Sequence, residues 1–127
     1  MARKKSRKAR KKDWVDAITQ DCKGLGVYKT AFDPAIEMLA DVMVQREDIW
    51  KEFEDSGGKS MLPYPNKGGA ENFVKNTILG MWNELTKTAL AYRRELGLTP
   101  AGLRKLDEKA MKSKKRSPRA EALRDLG

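Results

Sequence analysis

Apolar residues recur at helical intervals in two long stretches of the chain. In "FDPAIEMLADVMVQREDIWKEFEDSGG", Ile36, Leu39, Met43, Trp50 and Phe53 follow three-and-four spacing, with charged residues between them. Asp33 suits the N-cap, and Pro34 suits the first helical position, where a missing N–H costs nothing. Ser56-Gly57-Gly58 stops the run. The predicted helix covers about 33–55. In the second stretch Ile78, Trp82, Leu85, Ala89, Tyr92 and Leu96 alternate steps of four and three. That heptad-like seam predicts a helix over about 72–96.

The seam can serve as the core face of a helical hairpin, as a contact between copies, or as both. Two long helices with short flanking ones bury little surface, and small single cores are marginal. Trp14, Trp50 and Trp82 add large apolar area to a chain of low mean hydropathy. Self-association would bury what one copy leaves exposed. Ile78, Trp82, Leu85, Tyr92 and Leu96 are therefore the oligomerisation candidates.

The rest of the chain is punctuation and charge. Residues 13–22 (DWVDAITQDC) predict a short helix capped by Asp13 and ended by Gly24 and Gly26. Residues 56–71 read as one long Gly/Pro-rich connection, of the kind that often carries a partner contact. Its "GGKS" is not a phosphate-binding loop. That motif needs a glycine where Phe53 stands, a strand before it and a helix from the lysine. Tyr64, between two prolines, reads as a contact to a neighbouring subunit or to a larger partner subunit rather than to a base.

A hard corner follows the second helix. Gly97 sits where a left-handed C-terminal cap belongs, and Leu98 can fold back on the helix it has left. Thr99 caps the next helix and Pro100 opens it. The corner fixes the direction in which the C-terminal basic residues leave the body.

Charge is unevenly spread. Residues 1–12 (MARKKSRKARKK) hold eight Lys/Arg and no acid; residues 13–103 hold 10 basic and 14 acidic side chains; residues 104–127 hold 9 and 4. Basic blocks around a mildly acidic body predict tails that meet polyanions, with residues 1–12 disordered. The candidate DNA contacts are Arg3, Lys4, Lys5, Arg7, Lys8, Arg10, Lys11 and Lys12 at one end. Arg104, Lys105, Lys109, Lys112, Lys114, Lys115 and Arg116 are those at the other. The predicted organisation is a basic arm (1–12), a helical oligomerisation domain (13–110) and a basic tail (111–127).

The chain has no histidine and one cysteine, Cys22. Intrachain disulfides, Cys/His zinc sites and imidazole-based catalysis are excluded. Carboxylates such as Glu47, Asp48, Glu52, Glu54 and Asp55 lie on the polar face of the first helix, as a solvated face does. They do not make a nuclease centre. No catalytic residue, metal or cofactor is expected. No apolar run approaches a membrane span, and a reducing cytoplasm is the expected compartment.

"ELGLTPAGLRKL", preceded by "ALAYRR", resembles the C-terminal signature of the phage terminase small subunits. The likeness extends back through the first long helix and the "NKGG" loop (66–69), so it spans about 33–106. One departure is "KNTIL" (75–79), where Thr77 stands at a position often occupied by proline in relatives. That change suggests a second helix starting several residues earlier. The resemblance implies an all-α hairpin assembled as a cyclic homo-oligomer. It implies binding to double-stranded viral DNA in the host cytoplasm and hand-over to the large subunit, which holds the ATPase and nuclease. It implies no enzyme activity of its own. A different class of reading is a basic helical adaptor for an acidic protein partner.

Overall fold

The computed structural model describes residues 5–65, 67–69, 71–109 and 111–112. Three helices, α1 (Arg7–Gly24), α2 (Asp33–Asp55) and α3 (Thr77–Glu95), carry the fold. A 3-10 turn (Thr30–Phe32) precedes α2. Strands β1 (Met61–Pro65) and β2 (Glu71–Lys75) lie between α2 and α3. Residues 100–109 are helical again and are called α4.

Helix α2 is central, with α1 and α3 packed along it. The core joins Ile18 and Cys22 of α1, Ile36, Leu39, Ala40 and Met43 of α2, and Ala89 with Leu96 at the end of α3. Burying each of the large aliphatic side chains contributes roughly 1.5–3 kcal/mol. At the other end of α2 an aromatic group closes the packing. Trp50 lies 4.9 Å from Trp82 and 5.2 Å from Phe53 between ring centroids. The Arg46 guanidinium stacks on Trp82 at 4.4 Å and its Nε donates to Thr86 Oγ1 at 2.8 Å.

Three expectations are corrected. Residues 7–12 are not disordered: α1 starts at Arg7, and Ser6, not Asp13, caps it by accepting from Ala9 N at 3.1 Å. Lysine and arginine are good helix formers, and carboxylates of α2 offset their mutual repulsion. Asp33 is not a side-chain cap either: it is the first residue of α2, and its carboxylate accepts from Tyr28 Oη at 2.9 Å.

The third correction concerns the connection and the all-α class. Residues 61–65 and 71–75 pair as an antiparallel hairpin, with Pro63 opposite Phe73 and Tyr64 opposite Asn72. Helix α3 starts at Thr77 rather than 72. Asn76 is the reason. Its side chain accepts from Ile78 N at 3.0 Å and donates to Lys59 O at 3.0 Å, and its backbone N–H donates to Ser60 O at 2.8 Å. One buried asparagine both caps α3 and ties the base of the hairpin.

All three long helices end alike. Beyond α1, α2 and α3 stand Gly26, Gly57 and Gly97, each with positive φ. After each glycine the chain turns back on its helix: Val27, Gly58 and Leu98 donate to Cys22 O, Phe53 O and Arg93 O. That is the Schellman closure read from the sequence for Gly97.

Candidate nucleic-acid interface

The C-terminal corner is as tight as its residues require. Gly97 has φ +77°, and Leu98 N donates to Arg93 O at 2.8 Å. Thr99 Oγ1 accepts from Gly102 N at 3.0 Å, so threonine caps α4. Gly102 then lies on the end of α3: a Cβ there would stand 2.2 Å from Arg94 O. Only glycine lets α4 approach α3 this closely. The corner therefore holds α4 against the body, and Arg104, Lys105 and Lys109 leave it exposed. Lys105, Lys109 and Lys112 share one helical face by their spacing. None of Arg104, Lys105, Lys109 and Lys112 has an ion pair among the described residues.

The N-terminal cations are differently placed. Arg7 Nε lies 3.2 Å from Asp48, Arg10 2.9 Å from Asp48 and 3.9 Å from Glu47, and Lys11 3.2 Å from Asp41. Trp14 Nε1 also donates to Glu47. The basic turns of α1 thus lie on an acidic face of α2, in partly exposed pairs worth roughly 0.2–1 kcal/mol each. Lys5 pairs with Asp13 at 2.7 Å, and that carboxylate holds its ammonium pKa above the ordinary lysine value. Lys8 and Lys12 are exposed and have no ion pair among the described residues. Arg3, Lys4, Lys114, Lys115 and Arg116 lie outside the described residues.

The self-association seam is largely spent within the chain. Leu96 is 2% exposed, in the core. Tyr92 packs against that core, and Trp82 sits between Trp50 and Arg46. Ile78 and Leu85 are half-buried. Apolar surface appears where the seam did not point to it. Tyr64 and Phe73 on the hairpin are 60% and 64% exposed, and Met81 on α3 is 52% exposed. Sequence reading missed Phe73 because it was assigned to a helix. Its signal was the β-prone Phe73-Val74 pair shortly after a Gly-Gly turn.

No group of three or more potential metal ligands occurs among the described residues. No described helix is long and apolar enough to cross a membrane. The buried Cys22 thiol has its pKa raised, first by burial and then by the neighbouring Asp21 charge, with Arg93 opposing. On balance the site disfavours a reactive thiolate.

No curated protein and no solved structure matches the chain. A family model described as "Phage terminase, small subunit" matches residues 11–113, from the basic turns of α1 to just past α4. With most of its length so matched, including most of α1, all of α2 and α3, the hairpin and the corner, the chain belongs to the phage terminase small-subunit family.

Proposed function

We propose that this chain is the DNA-recognising small subunit of a viral packaging machine. It binds double-stranded viral DNA, assembles as a cyclic homo-oligomer in the host cytoplasm, and presents DNA to the large subunit that carries the ATPase and nuclease. It contributes no catalytic residue or cofactor. The observation that carries the reading is α4: exposed cations without ion-pair partners among the described residues, on a helix whose direction the corner fixes. In a ring each such helix is repeated, and weak single-chain phosphate contacts add through avidity. Lys8 and Lys12 add phosphate contacts. Arg7, Arg10 and Lys11 join only by exchanging carboxylates for phosphates, so they contribute less net binding. The half-buried Ile78 and Leu85 remain the seam's candidates for contacts between copies.

The test is the salt dependence of duplex binding. The slope of log K against log salt scales as about 0.9 per phosphate neutralised. Replacing Arg104, Lys105, Lys109 and Lys112 by alanine should flatten it by roughly 3–4 per subunit bound. Replacing Lys8 and Lys12 should flatten it by at most about 2. Slopes equal to wild type in both variants would remove DNA from the reading.

The alternative, an adaptor for an acidic protein, draws on one observation: Arg7, Arg10 and Lys11 already hold an acidic helix face. DNA that fails to compete with such a partner would favour it.

A further inference from the structure

The hairpin is a projection without a covering surface in its own chain. Its five-residue strands reach about 17 Å. They pair with each other, and neither makes a substantial contact with a helix. Met61, Tyr64, Phe73 and Val74 are all exposed. Tyr64 and Val74 lie on one face by register, and Met61 and Phe73 on the other. Prolines at 63 and 65 remove N–H donors at alternate positions of β1, which spoils its outer edge for strand addition. Contact must then come mainly from the side chains.

The same chain carries an unfilled hole. An open groove of about 1140 Å³ runs between α2 and the start of α3. Ile49, Gly80, Met81 and Leu85 supply its apolar surface, and Glu52, Asp55 and Glu84 are among its charged lining. At Gly80 a Cβ would meet nothing within 4 Å. The hairpin cannot readily fill this groove in its own chain. It departs from the groove's edge, where Lys75 and Asn76 line it, and the hydrogen bonds of Asn76 fix that departure.

We propose that the hairpin of one copy docks in the α2–α3 groove of the next, as the head-to-tail contact of the oligomer. The inference rests on the homo-oligomeric reading given above and names its interface. Area supports it. Inserted so that both of its faces are covered, the hairpin offers on the order of 400 Å² of apolar surface, about 250 Å² of it from Tyr64 and Phe73 given 150–250 Å² per aromatic residue. A standard interface needs about 800 Å² per partner, a little over half of it apolar. Charge agrees in sign: residues 56–74 carry Lys59 and Lys67 against one acid, Glu71, and the groove holds the four carboxylates of Asp48, Glu52, Asp55 and Glu84 against Arg7 and Lys51, with Lys75 at the hairpin's own base. Because projection and groove are different surfaces, the contact is heterologous, and repetition closes a ring or extends a filament.

The test uses complementation. Tyr64→Thr with Phe73→Thr blunts the projection, and Met81→Glu spoils the groove. All three positions are exposed, so each variant should keep the wild-type far-ultraviolet circular dichroism spectrum. Native mass spectrometry of each alone should show loss of the oligomer, with self-association at least ten-fold weaker. Mixed, the two variants should give a one-to-one heterodimer and nothing larger. If either variant keeps the wild-type oligomer, the contact between copies lies elsewhere and the proposal falls, while the DNA-binding reading stands. A mixture that forms no heterodimer would separate the hairpin from this groove and also overturn it. A monomeric wild-type protein would overturn both the interface and the homo-oligomeric reading.

Discussion

Replacing Gly102 and Gly80 by alanine should change stability in opposite directions. At Gly102 the new Cβ would stand 2.2 Å from Arg94 O and 2.9 Å from its carbonyl carbon. Both obstacles are backbone, so no rotamer change relieves them. To regain ordinary contact, α4 must retreat by roughly 1 Å, which loosens its packing throughout. Overpacking costs about 1–3 kcal/mol, and a backbone obstacle belongs at the upper end. Alanine returns about 1 kcal/mol of helix propensity. The net loss is about 2 kcal/mol. For a domain of this size that lowers Tm by about 8 °C. At Gly80 a Cβ meets nothing within 4 Å, so only the propensity gain of about 1 kcal/mol remains. Urea unfolding followed by circular dichroism, at one low protein concentration, measures both. Gly102→Ala as stable as wild type would show that α4 does not lie on α3 as described, and the fixed exit of its cations would go with it.

Other perturbations test other parts of the account. Asn76→Ala should cost roughly 2–3 kcal/mol, because it removes the α3 cap and a buried donor to Lys59 O. Asn76→Ser keeps a cap acceptor and loses the donor to Lys59 O without adding a charge. Denaturant midpoints should therefore fall in the order wild type, Ser, Ala, and equal Ser and Ala midpoints would contradict the double role. Trp82→Ala should cost about 2 kcal/mol, less than a fully buried tryptophan because the ring is half-buried beneath Arg46; an unchanged melting curve would show the aromatic end carries no stability. Cys22 has a raised folded-state pKa, so the stability it contributes is complete below the ordinary thiol value and is lost as pH rises through the folded value. Stability should fall on the alkaline side, and Cys22→Val should lessen that fall; identical alkaline profiles would exclude the thiol.

The two long helices and the corner were legible because their signals are local. Gly97, Leu98, Thr99 and Pro100 each have a neighbour-level reason, and each does what that reason predicts. The missed features depend on partners distant in sequence. Arg7, Arg10 and Lys11 resemble a repelled, solvated run until Asp41 and Asp48 are placed beside them. The hairpin was hidden because Phe73 and Val74 can extend a helical pattern backwards from Ile78. Asn76 decides against that through Lys59 O and Ser60 O, which no period reveals. For the candidate interface, the sequence supplied the cations. It could not show which of them the fold neutralises.

A self-assembled body that takes up DNA is the centre of the proposed function. Native mass spectrometry of the purified protein, without and then with duplex DNA, tests this most directly. One large closed oligomer that gains the mass of a duplex is the result it predicts. A monomer or dimer that stays unchanged when DNA is added would contradict it.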